Sequence, residues 1–223
     1  TLSLTGSNSL SGAFVVAQGT VATTGTNQMT GLTTVGNTSG AAGVLTVSGG
    51  EFDAAYNPGN VYDSSLQVGT ASGAAGTVRL NSGTLTIPKQ LALGSGSGGS
   101  GSYQQANGNA SVGGFLTVGL NSDQAAFSQS GGTFIHNGPA TIGAGAFGVS
   151  NAVGVASFSG SAVFTNGYYD SYFKFWVGEN GTGIMNISGS AAVTISADNF
   201  ILGRNAGANG VLNLNGGTLS VMA

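Results

Sequence analysis

An apolar residue followed by glycine returns at a near-constant interval along most of this chain: Val35-Gly36, Val68-Gly69, Leu93-Gly94, Val118-Gly119, Ile142-Gly143, Val177-Gly178 and Leu202-Gly203. The steps are 33, 25, 25, 24, 35 and 25 residues, so a base period near 25 with two longer insertions accounts for all of them. A repeat of this length copies one supersecondary unit, and no unit buries its apolar side without its neighbours. After each anchor comes a turn rich in Gly, Ser, Ala and Asn, usually closed by glycine, as at Gly43, Gly76, Gly101, Gly154, Gly183 and Gly210.

Aligned on that closing glycine, the columns acquire a physical meaning. The second position after it reads Leu45, Val78, Tyr103, Phe127, Ala156, Met185 and Leu212. The third reads Thr46, Arg79, Gln104, Ser128, Ser157, Asn186 and Asn213, and the fourth Val47, Leu80, Gln105, Gln129, Phe158, Ile187 and Leu214. Inside, outside, inside is the period of two expected of a half-buried strand. Gln105 and Gln129 interrupt the inward column in neighbouring units and are expected to form a buried amide ladder. A second strand follows SGG, NSG or NGG, with Phe52, Leu85, Ala110, Phe134, Val163, Ala192 and Leu219 inward. A third leads into the next anchor, as in Leu66-Gln67-Val68, Leu91-Ala92-Leu93 and Phe175-Trp176-Val177.

Three short strands and glycine-rich corners in each coil of about 25 residues predict an all-β fold, a right-handed parallel β-helix or β-solenoid. Stacked coils pair each strand in parallel with its equivalents about 4.8 Å above and below, and seven steps make a rod of roughly 34 Å. Glycine turns the corners at no steric cost and interrupts every stretch of helical length. An antiparallel sandwich, the main rival, has no need of a common register across coils. Residues 35–223 are read as the solenoid repeats. In residues 1–34, TLSLTGSNSL matches the first two strands of a unit, but 11–34, including AFVVAQ, fits the columns poorly. That stretch is read as a partial coil and a capping or complementing segment, within a single domain overall.

Charged residues make up 5% of the chain while hydrophobic ones reach 40%. An average soluble domain carries about 25% charge, and disorder needs low hydrophobicity with high charge, so the composition points to an ordered, repetitive β protein. The net charge is −3, with Arg79, Lys89, Lys174 and Arg204 as the basic residues. Four scattered cations do not neutralise a phosphate backbone, nor dock on anionic lipid. No apolar run approaches the about 20 residues of a spanning helix. Neither nucleic-acid binding nor membrane insertion is expected. Cysteine is absent, which excludes disulfides and thiolate sites and fits a secreted bacterial structural protein. The chain opens at Thr1 without methionine, as it would after removal of a signal peptide or after any other cut.

The run VGNTSGAAGVLTVSGGEF, with its echoes VGTASGAAGTVRLNSGTLTI and LGRNAGANGVLNLNGGTLSV, resembles the glycine-rich β-helix repeats of bacterial surface proteins. These are the repeats associated with autotransporter passengers and with PEP-CTERM-sorted exported proteins. The resemblance covers residues 35–223, most clearly in the units beginning at 35, 68, 177 and 202. It implies a secreted location, extracellular or at the cell surface.

β-Helices also include polysaccharide lyases and hydrolases, which cluster aspartates with basic residues or calcium on one face. The acids here are Glu51, Asp53, Asp63, Asp123, Asp170, Glu179 and Asp198, and only Glu51 and Asp53 fall within two residues of each other. Flanking inward Phe52, those two are read as a solvated pair rather than the paired carboxylates of a glycosidase. Glu179 and Arg204 take the same turn position in successive coils, which predicts a surface ion pair. His136 is the one histidine, so a multi-histidine zinc site is excluded, and a surface or inter-strand role is expected of it. The calcium-binding GGxGxD repeat is absent. The chain is therefore read as no enzyme, with no catalytic residue, metal or cofactor.

Two insertions, 54–65 and 166–174, leave the coil between the second and third strands and would project Tyr56, Tyr62, Tyr168, Tyr169, Tyr172 and Phe173 on one edge. Trp176, at an outward position, has Ile201 beside it one coil later. Aromatic groups dominate protein contacts, so this edge is the candidate lateral interface, with a local satellite core and a sugar platform as the competing readings. Solenoid ends expose unpaired strands unless capped. The candidate end-to-end interface is Leu2, Leu4, Phe14, Val15 and Val16 against Leu212, Leu214, Leu219 and Val221. The leading expectation is a structural subunit of an extracellular bacterial filament or surface assembly, a homopolymer joined head-to-tail through its solenoid ends. The alternative is an autotransporter-like adhesin passenger fragment binding carbohydrate, such as an extracellular polysaccharide, or a host surface.

Overall fold

The computed structural model describes residues 1–56, 59, 63–122, 124–145, 151–167 and 174–222. Its strands begin with β1 (Leu2–Leu4), β2 (Ser7–Leu10), β3 (Phe14–Val16), β4 (Gly19–Thr23), β5 (Thr26–Met29), β6 (Thr33–Val35), β7 (Ala42–Asp53) and β8 (Ser64–Val68). They continue with β9 (Ala75–Ile87), β10 (Gln90–Leu93), β11 (Ser100–Gln105), β12 (Asn109–Val112), β13 (Leu116–Val118), β14 (Gln124–Gln129) and β15 (Thr133–His136). The last are β16 (Ala140–Ile142), β17 (Val153–Phe158), β18 (Val163–Asn166), β19 (Lys174–Val177), β20 (Thr182–Ser196), β21 (Asn199–Leu202) and β22 (Asn209–Met222). There is no helix among the described residues.

The chain is a β-solenoid. First and second strands of successive coils form one 14-stranded sheet, and third strands an eight-stranded one in the order β21-β19-β16-β13-β10-β8-β6-β3. Ladders in both run parallel, as in β11–β14, β15–β18 and β13–β16. In β7, β9, β20 and β22 the first and second strands are one continuous strand bent at a glycine corner. The core is a stack of inward columns: Leu45, Val78, Tyr103, Phe127, Ala156 and Met185 are all buried in register with one another.

Residues 1–34 continue both sheets. Leu2 pairs with Val21, Ser7 with Thr26 and Phe14 with Thr33, each a step of 19 residues. The poor fit of 11–34 to a 25-residue alignment is thus a shorter coil, with polar Thr23, Asn27 and Thr33 buried at inward positions. A second difference lies in the second strand, where Phe164 and Val193 point inward and Val163 and Ala192 outward. The cause is corner length. Six residues separate Phe158 from Phe164 and Ile187 from Val193, where five separate Gln129 from Phe134. One extra corner residue inverts the facing of the strand that directly follows it.

The closing glycines sit where the turn passes beneath the preceding coil. A Cβ on Gly183 would lie 2.2 Å from the Gly178 nitrogen and 2.3 Å from the Ile142 oxygen, both backbone atoms. Gly183→Ala is expected to cost about 1–3 kcal/mol, as overpacking does in rigid surroundings. Gly12→Ala, at an open site with nothing within 4 Å, should leave the urea midpoint unchanged or slightly raised. Equal midpoints for the two variants would contradict this packing of the corners.

Candidate functional site

Polar groups inside the solenoid are positioned by the same columns as the apolar ones. Gln105 and Gln129 are buried neighbours, as their shared column requires. They do not bond each other as a ladder. Gln105 accepts from the Tyr103 hydroxyl at 3.0 Å and donates to the Gly108 and Thr133 carbonyls. Gln129 donates to the carbonyls of Gly132 and Val163. Each amide therefore ties its own corner to the second strand one coil on.

His136 is fully buried, between Val112 and Asn166 in an inward column, and not at the surface. Nε2 lies 2.7 Å from the Gly114 carbonyl and Nδ1 3.0 Å from the Asn166 amide nitrogen. Asn166 can only donate there, so Nδ1 accepts and the proton sits on Nε2, donated to Gly114. Burial disfavours the imidazolium and lowers the pKa to about 4, against the opposing pull of the Gly114 carbonyl. With both nitrogens engaged inside the core, this ring is a structural group.

Glu51 and Asp53 face outward beside Ser7, Ser9, Thr26 and Gln28, around a shallow polar depression of about 330 Å³. Gln28 donates to Asp53 at 3.3 Å. Among the described residues no three His, Cys, Asp or Glu side chains gather as a metal site.

On the second sheet's outer face, Trp176 and Ile201 are register partners, both half-buried. The expected pairing of Glu179 with Arg204 forms, and the Arg204 guanidinium also lies 3.9 Å from the centre of the Trp176 ring. Burial raises the Glu179 pKa, opposed by the Arg204 charge and by hydrogen bonds from Arg204 and Thr141. One face of Trp176 is thus covered by a cation held in place by a carboxylate. Tyr56 is half-buried and its carbonyl accepts from the Ser65 hydroxyl. Tyr62, Tyr168, Tyr169, Tyr172 and Phe173 lie outside the described residues. Further along the same face Thr34, Ala92, Thr117 and Thr141 are buried although their positions point away from the core.

The two end faces are different in kind. Among the described residues each presents parallel edges without a partner strand, of β1, β2 and β3 at one end and of β22 and β21 at the other. Leu2 is 55% exposed and Leu10 41%; at the opposite end Leu214 is 53% exposed and Val221 44%. Leu4, Phe14, Leu212 and Leu219 are partly buried, packed on the last fully enclosed layer. Val16 is covered at 3% exposure by its own chain, and Val15 lies on the outer side of the second sheet, so neither belongs to the bare face. Leu10 and Leu202 do belong to it, the first hidden from the sequence alignment by the short coil. These faces are cross-sections through the core, with inward columns cut open and backbone donors and acceptors aligned along the solenoid axis.

No protein-family model matches the chain, and no curated protein or solved structure matches it either.

Proposed function

We propose that this chain is a structural subunit of an extracellular bacterial filament or surface assembly, extended head-to-tail by stacking the open face at β1–β3 of one copy on the open face at β22 of another. The observation that carries this reading is the exposure of inward columns at both ends, Leu2 and Leu10 against Leu214 and Val221, beside unpaired parallel edges. The two faces are unlike, so their contact is heterologous and does not close by two-fold symmetry. Burying apolar surface contributes about 25 cal/mol per Å², and each added strand also satisfies a row of backbone groups. Low charge works in the same direction, since lysines and glutamates at edges normally block such pairing. Secretion rests on the cysteine-free, charge-poor composition and the resemblance of the repeats to exported surface proteins. No helix among the described residues is long and apolar enough to cross a membrane.

The test is assembly as a function of concentration, followed by light scattering and electron microscopy. The parent chain is expected to form unbranched rods that lengthen with concentration. Leu214→Lys with Val221→Lys should abolish them while leaving the far-UV circular dichroism unchanged, because both side chains stand on the exposed face. A parent chain that stays monomeric at millimolar concentration overturns the reading.

A further inference from the structure

The outer face of the first strands carries a directional hydrogen-bond ladder. Asn186 donates its amide to the Ser157 hydroxyl at 3.2 Å, and Asn213 donates to the Asn186 carbonyl oxygen at 2.9 Å. A parallel ladder runs along the corner, where Asn205 donates to Asn180 at 2.6 Å and Asn180 to the Ala144 carbonyl. Each of these four bonds points its donor toward the preceding coil, while farther back in the first column Arg79 donates forward to Gln104 at 3.2 Å. Among the described residues Asn213 closes this ladder, with its amide nitrogen committed to Asn186 and its side-chain oxygen able only to accept. At the opposite end of the same column stands Ser3, in register with Ala22 and, through it, Thr46. Its hydroxyl is a donor.

Resting on the assembly reading above, we infer that the junction between copies is in register: β1 lies on the first half of β22 with Ser3 bonded to Asn213, and β2 lies on the second half with Ser9 over Ser220. In this register Leu2 and Leu4 cover Leu212 and Leu214, and Leu10 covers Val221. A slip of one residue would turn the leucines out and Ser3 in. A slip of two would strand one leucine without a partner layer and shift the corner off Gly216 and Gly217. The corners differ in length, with four residues from Leu4 to Asn8 and five from Leu214 to Leu219. The chain already contains such a match. Thr23 to Asn27 is also four residues, and β4 and β5 both pair in register with β7, where Val47 to Phe52 is five.

The test uses engineered cysteines in a chain that has none. Adjacent coils put paired Cα atoms about 4.8 Å apart, within the range that a disulfide spans. Within one chain Ser3 and Asn213 are separated by eight coil steps, roughly 38 Å, so any bond between them joins two copies. Ser3→Cys with Asn213→Cys, and independently Ser9→Cys with Ser220→Cys, are assembled under reducing conditions and then oxidised mildly with copper phenanthroline. Both pairs are expected to give a ladder of covalent multimers on a non-reducing gel. Ser3→Cys with Asn215→Cys, two residues out of register, and Ser3→Cys alone, which would report a head-to-head contact, should remain monomeric. Rods that form without either ladder, or that cross-link equally well through Asn215, overturn the register and leave the assembly reading standing. A parent chain that forms no rods overturns both.

Discussion

Phe127→Ala should lower stability by about 3–5 kcal/mol, the usual cost of emptying a buried aromatic site. Phe127 is 1% exposed and stands at the centre of an aromatic cluster spanning several coils. Its ring centre lies 5.0 Å from Tyr103 in the coil before, 4.9 Å from Phe134 across the core, and 5.6 and 6.1 Å from Phe158 and Phe164 in the coil after. Tyr103 stacks on the ring, Phe134 and Phe164 meet it edge-to-face and Phe158 is tilted against it, which adds to the gain from burial. Truncation opens a cavity that the hydrogen-bonded strands on either side cannot collapse to fill. Because each coil contacts only its neighbours, the loss sits at the coil interfaces on both sides of β14 and should appear in the urea midpoint. Ile135→Ala, one strand away but 43% exposed, should change the midpoint by no more than about 0.5 kcal/mol. Similar losses at the two sites would contradict the facing assigned to this strand.

Much of this architecture can be read from the residues. The first-strand columns hold from Leu45 to Leu212 because each follows a closing small residue at fixed distance, glycine in every unit but that of Phe127, where it is Ala125, and the strand period of two does the rest. Reading the second strand is harder, since its facing depends on a corner whose length varies by one residue. SGSAVF and SGGTF look alike in sequence but place Phe164, not Val163, in the core. The N-terminal coils escape the alignment because Val16 is followed by alanine and not glycine, and because Thr23, Asn27 and Thr33 put polar groups in columns that elsewhere are mostly apolar. Sequence spacing paired Glu179 with Arg204 one coil apart. That Arg204 also covers Trp176 depends on side-chain reach across the sheet, which spacing does not encode. His136 follows inward Phe134 by two residues, and that interval alone predicts the burial found for it.

That burial makes the fold acid-sensitive well above the carboxylate range. In the unfolded chain the imidazole takes a proton near its ordinary pKa of about 6.5. In the core it resists until about 4. Between these values the unfolded state binds more protons, so stability falls as pH falls. The loss begins below about 6.5, reaches roughly 3 kcal/mol near pH 4, and levels off below that. Urea midpoints measured from pH 7.5 to 4 should show this decline. His136→Gln keeps a donor for the Gly114 carbonyl and an acceptor for the Asn166 amide, and it does not titrate. Its midpoint should be nearly flat over the same range, and an equally steep decline in that variant would assign the acid sensitivity to other groups.

X-ray diffraction from aligned rods of the parent chain tests the assembly account most directly. Strands that remain perpendicular to the rod axis through every junction should give a sharp meridional reflection at about 4.8 Å. Rods lacking that reflection, or protein that never forms rods at concentrations sufficient for alignment, would contradict a polymer built by continuing the solenoid from copy to copy.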